Sequence, residues 1–333
     1  MTTPSISSAV SRRHLLAQVS ALVGAAAVPG LAAASTFPDR PVKIILPFPP
    51  GTVNDVTLRL VGEALSKRWK QAVVIDNRPG ASSIIGTDAV ARSAPDGYTL
   101  LANIGLIVQN PALRKKLPYR FEDLRAVTQF NRQQLPVFVR AELPIQNVTQ
   151  LLEHARASPG KLNFATWGLG STAHLILEKM RVDNDAPMTH VPYRGGADIV
   201  KALLSGEADV AVADWLSPNP HFRSGKLRVI GVTGPSRVAN LPQVQTLAEA
   251  GVTGFEGYNW FGLLAPAGTP DAIVRKIADD VREIQQATEL RRRFVEEMYV
   301  EPTGTTPEEF TQVLDQDLRT WTSVIQRVGV TLE

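Results

Sequence analysis

The chain has 333 residues, with 35 Lys plus Arg against 32 Asp plus Glu, and a net charge of +3 at pH 7. Near-balanced charge argues against a nucleic-acid partner, and the length allows two domains with a sizeable core. There is no cysteine, which excludes disulfides and a lipid anchor on an N-terminal cysteine.

At the start of the chain, Ser11-Arg12-Arg13-His14-Leu15-Leu16 forms a twin-arginine pattern, followed by an apolar run to Val28 and by Ala32-Ala33-Ala34. The run is too short to span a bilayer and its flanks are those of a signal peptide. Such a signal is an address for folded export, so residues 1–34 are expected to be removed and the mature protein to be free in the periplasm. A disordered amphipathic tail is the alternative. The segment carries two arginines and no acid, so its loss lowers the charge from +3 to +1.

The first predicted strand is Val42–Leu46. A loop rich in proline, Pro47-Phe48-Pro49-Pro50-Gly51-Thr52-Val53-Asn54-Asp55, leads from it into a helix ending near residue 68. A strand-to-helix junction aims unpaired N–H groups and the positive end of the helix dipole at whatever sits above the strand, which suits an anion. Phe48, Pro49, Thr52, Asn54 and Asp55 are candidate ligand-binding residues. For Asp55, capping of its own helix competes with contact to a ligand amine or hydroxyl.

Alternation of strands and helices continues. A strand at 72–76 ends in Asn77-Arg78-Pro79-Gly80, a helix runs over 84–93, and a strand covers 98–102. Asn103, just past that strand, joins the candidates. A second block has a helix at 149–157, a strand at 162–166, a helix at 173–180, a strand at 189–193, a helix at 198–205, and strands at 208–213 and 227–233. This pattern predicts parallel α/β sheets covered on both faces. Segment 126–139 lacks a helical period and joins the blocks, and 254–264 returns. Two crossings imply two α/β domains, 36–130 with 258–333 and 131–257, that hinge at those segments around a cleft. Ligands in such sheets bind beyond the carboxyl ends of the strands.

Gly168-Leu169-Gly170-Ser171-Thr172-Ala173 fits the dinucleotide pattern G-x-G-x-x-A, but the strand at 189–193 ends Val191-Pro192-Tyr193 without the confirming acid. A tight turn is a second reading. A small-anion seat using exposed Ser171 and Thr172 hydroxyls fits best. His174, in the first turn of the next helix, is either a ligand contact or a structural partner, and His190 belongs to a strand. Asp214, at a strand end, faces the cleft or caps the segment after it. No G-x-S-x-G elbow exists and no two of the five histidines have metal-ligand spacing. Binding without catalysis, cofactor or metal is expected. Arg291-Arg292-Arg293 lies among Glu289, Glu296 and Glu297 and reads as a solvated face.

Seven motifs occur in order: Pro47-Phe48-Pro49-Pro50-Gly51 with Asp55, Asn77-Arg78-Pro79-Gly80-Ala81, Ala94-Pro95-Asp96-Gly97-Tyr98-Thr99-Leu100, Pro159-Gly160-Lys161-Leu162-Asn163, His190-Val191-Pro192-Tyr193-Arg194-Gly195, Gly225-Lys226-Leu227-Arg228, and the run from Trp260 to Pro270. Together they resemble the Bug-type receptors of tripartite tricarboxylate transport systems over essentially the whole mature chain. The resemblance implies a type II-like periplasmic binding protein. Its two parallel-rich sheets, flanked by helices, would close on a small organic anion, commonly a carboxylate. It implies membrane transporter subunits as partners, or a sensor kinase, and a monomer. The positions matching the family's ligand loops are Phe48 to Asp55 and Gly168 to His174, with Tyr193, Gly195 and Asp214 as neighbours. A periplasmic nucleotide-dependent oxidoreductase is the alternative that G-x-G-x-x-A supports.

The chain departs from the family at Thr52, Trp167, Leu169 and Ile84, where glycine or small polar residues are usual. Lining a cleft, these side chains make it smaller, drier or shaped for a ring. Trp167 either packs beneath its loop, fills the cleft or stacks on the ligand.

Overall fold

The computed structural model describes residues 37–255 and 257–333. The expected export signal lies outside the described residues.

The first block runs β1 (Val42–Leu46), α1 (Val53–Trp69), β2 (Val73–Asn77), α2 (Ile84–Ala91), β3 (Thr99–Asn103) and α3 (Leu106–Leu113). Then come β4 (Leu124–Gln133) and β5 (Pro136–Arg140). The second block runs α4 (Val148–Ala157), β6 (Asn163–Thr166), α5 (Thr172–Asp183), β7 (Thr189–Pro192), α6 (Gly196–Ser205), β8 (Val210–Val212), α7 (Asn219–Arg223) and β9 (Leu227–Val232). The chain ends with β10 (Asn259–Pro266), α8 (Asp271–Gln285), α9 (Thr288–Arg292), β11 (Glu301–Pro302) and α10 (Pro307–Val328).

One sheet has the order β11-β4-β10-β3-β1-β2 and the other β7-β6-β8-β5-β9. Strands linked through helices pair in parallel: β1 with β2 and β3, and β6 with β7 and β8. The strands that cross between sheets enter from the opposite direction. Thus β10 runs antiparallel to β3 and β4, and β5 antiparallel to β8 and β9. Each sheet is therefore mixed, with its parallel strands grouped together.

Central β1 is apolar and buried except for Lys43, as a strand covered on both faces must be. Edge strand β2 leaves Val74 48% exposed. The segment expected only as a connection holds two strands. All but two residues of β4 are buried, so no in–out alternation marks it in the sequence. The crossover itself is Gln134-Leu135. Helix α3 is absent from the elements expected from sequence. Six of its eight residues are buried, and Pro111 lies inside it. A helix covered on nearly all sides shows no amphipathic period.

Helix α10 begins with a capping box, in which Thr306 and Glu309 satisfy each other's backbone N–H. Its Val324 and Ile325 pack with Leu113 of α3 and Leu175 of α5, so this helix touches layers of both sheets. In the first turn of the same helix, Phe310 lies against β10. A Cβ at Gly262 would sit 2.1 Å from the Phe310 ring, so the close approach requires glycine. The expected solvated basic face is present: Arg292 pairs with Glu289, Glu296 and Glu297.

Candidate ligand-binding site

A cleft of ≈ 540 Å³ lies at the carboxyl ends of the parallel strands. Five strand-to-helix junctions line it: Thr52, Val53 and Asn54 before and in α1; Ser82 and Ser83 before α2; Ile104 and Leu106 around the start of α3; Gly168, Leu169 and Ser171 before α5; and Gly195 and Gly196 at α6. First-turn N–H groups have no intrahelical acceptor, and each helix start carries partial positive charge. The cleft is thus ringed by amide donors, as the loop chemistry predicts for the first and fourth of these junctions.

Asp55 is the hub of the first wall. It is 3% exposed and does not line the cleft. Its carboxylate accepts from Gly51 N–H at 2.9 Å, Arg59 Nε at 3.0 Å and Asn77 Nδ2 at 2.9 Å. Asn77 Nδ2 also donates to Phe48 O at 3.0 Å. Burial raises the Asp55 pKa, but the bonds from Arg59, Gly51 and Asn77 outweigh it and hold it below the ordinary value. The expectation of ligand contact at Asp55 is corrected. Its oxygens are taken by the loop and by Arg59. Thr52 caps α1, its Oγ accepting from Asp55 N–H at 3.4 Å.

The second wall is built on neutral imidazoles. Ser171 caps α5, its Oγ accepting from His174 N–H at 3.3 Å and donating to Gly168 O at 2.7 Å. His174 Nδ1 accepts from Gly170 N–H at 3.2 Å. His190 Nε2 is 2.7 Å from Thr166 Oγ, which accepts from Gly168 N–H at 3.3 Å. The two rings are 4.2 Å apart, and Phe164 stacks on His190 at 4.9 Å. Burial lowers both histidine pKa values to about 4, helped at His174 by Arg181 and at His190 by His174. His174 is 3% exposed and outside the cleft lining, with its Nδ1 occupied by Gly170 N–H.

Other expected site residues divide in the same way. Phe48, Pro49, Thr52, Asn54, Trp167, Gly168, Ser171, Gly195 and Asp214 line the cleft. Asn103, Thr172 and Tyr193 do not. Asn103 is 2% exposed, donates to Thr87 Oγ at 3.1 Å and accepts from Ile104 N–H at 2.8 Å. Thr172 accepts from Gln109 Nε2 at 3.0 Å, so its hydroxyl is committed to a contact with α3. Tyr193 packs its ring on the core of the second sheet, and burial, then Glu207, raises its pKa to about 12. The exposed hydroxyls expected at Ser171 and Thr172 are corrected too, since these residues are 3% and 4% exposed.

Trp167 combines two of its readings. It packs against both apolar clusters of the second sheet and lines the cleft. Thr52 and Leu169 also line the cleft, whereas Ile84 does not. Ala81, Ser82 and Ser83 all have positive φ, of 46°, 54° and 73°. A left-handed turn of three L-residues is strained by roughly 1–2 kcal/mol each, and Asn110 braces it by donating to Ser82 O at 2.9 Å.

Sequence reasoning missed Gln133, Arg114, Arg194 and Asn259, which also line the cleft. Arg194 stands inside a recognised motif, and a cation at a strand end was its available signal. The other three come from elements with no ligand-loop pattern. Arg114, Arg194 and Asp214 are the charged residues of the lining. Asp214 accepts from Leu216 N–H at 2.9 Å, and burial raises its pKa. Arg114 donates to the Glu333 carbonyl. The lining is therefore net cationic.

A sequence profile of the tripartite tricarboxylate transporter family receptor matches residues 57–330. The protein BugT of Bordetella pertussis is 31% identical over 323 residues, covering 96% of this chain and 99% of that one. The solved structure of R. palustris Rpa4515 with adipate is 30% identical, with a TM-score of 0.81 over 89% of this chain and 99% of that one. The structure of MatC from Rhodopseudomonas palustris with bound malate is 27% identical, with a TM-score of 0.77 over 87% of this chain and 100% of that one.

Proposed function

Because this chain belongs to the tripartite tricarboxylate transporter receptor family, we propose that it captures a small organic carboxylate in its cleft for the membrane subunits of such a transporter. It would do so in the periplasm, as a monomer exported by the twin-arginine signal at 1–34. The observation that carries this reading is the convergence of five helix starts and two guanidiniums on one cleft of ≈ 540 Å³. Amide donors and cations select an anion, and the apolar faces of Phe48, Ile104, Leu106, Trp167 and Leu169 accommodate its hydrocarbon part. The adipate and malate of the two solved relatives are carboxylates of this kind. Two lobes, one per sheet, would close on the ligand by bending at Gln134-Leu135 and in the return segment before β10.

Calorimetry of the mature protein against mono- and dicarboxylates, aromatic acids and their amides tests the reading. Acids should bind and their neutral amides should not, with no product formed. Binding confined to uncharged compounds, or turnover of any of them, would sink it. Small-angle scattering should give a smaller radius of gyration at saturation.

A further inference from the structure

The segment that follows α10 returns to the cleft. Gly329 ends that helix in a left-handed conformation, with φ 68°, and the chain turns back along α3. Leu113 is the last residue of α3, so its carbonyl has no intrahelical donor. Leu332 N–H supplies one at 2.8 Å, and Leu332 pairs with Arg114 in a single parallel bridge. Arg114 in turn donates to Glu333 O. The segment is thus strapped to the end of α3 by bonds in both directions. Val330 and Leu332 pack on the cluster of Leu113, Leu175, Val324 and Ile325. Leu332 also lines the cleft, whereas Val330 does not. On the other side of Leu332 stands the β6–α5 loop. A Cβ at Gly170 would sit 2.8 Å from Leu332 Cδ1 and 3.0 Å from Leu113 Cδ1. Gly170 also has φ 71°, so glycine is what lets the loop and the strap meet.

Leu106, in the first turn of α3, and Arg114, just past its last, both line the cleft. The eight residues of α3 rise about 12 Å. The cleft therefore extends along this helix, with the helix start at one end and the strap at the other. We infer that Leu332 is a specificity-determining residue: it forms an apolar end wall of the cleft and sets the length of the acid that fits. This rests on the carboxylate reading above and adds a size limit to it. The isobutyl group has no polar atom, so it cannot hold a carboxylate. It acts by excluding volume and by covering the ligand methylenes that reach it. Its position is fixed from two sides, by the backbone bond to Leu113 and by the contact with Gly170. A wall held in that way does not yield to a longer ligand.

The test is calorimetry of the mature wild-type chain and of Leu332→Ala, Leu332→Phe and Val330→Ala. The probes are the straight-chain α,ω-diacids from succinate to suberate and the straight-chain monoacids from butyrate to octanoate. Alanine at 332 opens space at the end of the cleft, and each ligand methylene that gains burial there strengthens binding about fourfold. The longest acid that binds tightly should gain about one or two methylenes, and affinity for suberate relative to succinate should rise about tenfold. Phenylalanine fills the same space, so that ratio should fall about tenfold. Val330→Ala thins the strap away from the cleft. It should lower the melting temperature and leave the order of chain lengths unchanged. The same order in all of these proteins, or an equal loss for every acid in a folded Leu332→Ala, overturns the inference and leaves the receptor reading intact. Binding of no acid in either series also overturns the inference, and only the failure of the aromatic acids as well overturns the receptor reading.

Discussion

The two walls of the cleft do the same job with different chemistry. The β1–α1 loop is fixed by a carboxylate that gathers Gly51, Arg59 and Asn77. The β6–α5 loop is fixed by imidazoles that accept from Gly170 and meet Thr166. An ionised prop holds its geometry wherever the acid stays charged. A neutral imidazole holds only while it stays unprotonated, because protonated Nδ1 can no longer accept from Gly170 N–H. The walls should therefore fail at different pH and by different amounts.

The largest effect should come from Asp55→Ala. Truncation removes three charge-assisted bonds and leaves Arg59, which is half-exposed and can hydrate. A stability loss of about 3 kcal/mol is expected, with ligand affinity reduced more than tenfold, because the loop amides lose their frame. Thermal unfolding and calorimetry measure the two. Unchanged affinity in a folded Asp55→Ala protein would separate the first wall from the site.

The second effect is a pH window. The histidines have a folded pKa of about 4 against 6.5 in the unfolded chain. Between those values the unfolded chain binds protons that the folded one excludes. Stability is then complete above pH 6.5 and falls as pH drops toward 4, by up to about 3 kcal/mol for His174. Asp55 behaves oppositely in range: its folded pKa lies below 3.8, so its contribution persists down to that value and is lost only beneath it. The second wall should loosen first on acidification. Melting temperatures from pH 7 to 4 should fall, and more shallowly in His174→Gln. An unchanged slope in that variant would remove His174 from the titration.

The contrast between the walls was only half legible in the sequence. The junctions after β1, β2, β6 and β7 were readable, because each strand is followed by glycine or proline and a helical period, whereas the one after β3 was hidden by the near-complete burial of α3. The place of Asp55 in the first helical turn was visible, but the cap of that helix is Thr52, and the bonds of Asp55 to Gly51, Arg59 and Asn77 were not legible. The histidine pair was not legible either, because residues 174 and 190 belong to different elements and only the β6–β7 pairing brings them together. Gln133 and Arg114 escaped for the same reason. They enter the cleft through β4 and α3, elements whose near-complete burial hides their period. Thr172 misled because a hydroxyl at a helix start suits a ligand and a neighbouring helix equally well.

A smaller effect belongs to Ser171→Ala. The hydroxyl caps α5 and braces Gly168 O, so its removal should cost about 1 kcal/mol of stability. Affinity should fall only as far as the loop relaxes. A stability loss below about 0.3 kcal/mol with a large affinity loss would show that the hydroxyl serves the ligand rather than the wall.

The smallest stability effect should be at Leu169→Ser. Leu169 is 54% exposed and lines the cleft beside Trp167, so it contributes little to packing and its loss should change stability by less than about 0.5 kcal/mol. Its value lies in the bound state. Closing over a ligand would remove part of this leucine from water, and each buried CH₂ contributes roughly 0.8 kcal/mol. Affinity for acids with a hydrocarbon body should drop about three- to tenfold, and affinity for the shortest acids should hardly change. Trp167→Ser provides the contrast, since that ring also packs on two apolar clusters and should cost both stability and affinity. Equal affinity losses at Leu169 for long and short acids would mean that the leucine shapes the loop and not the ligand's apolar end.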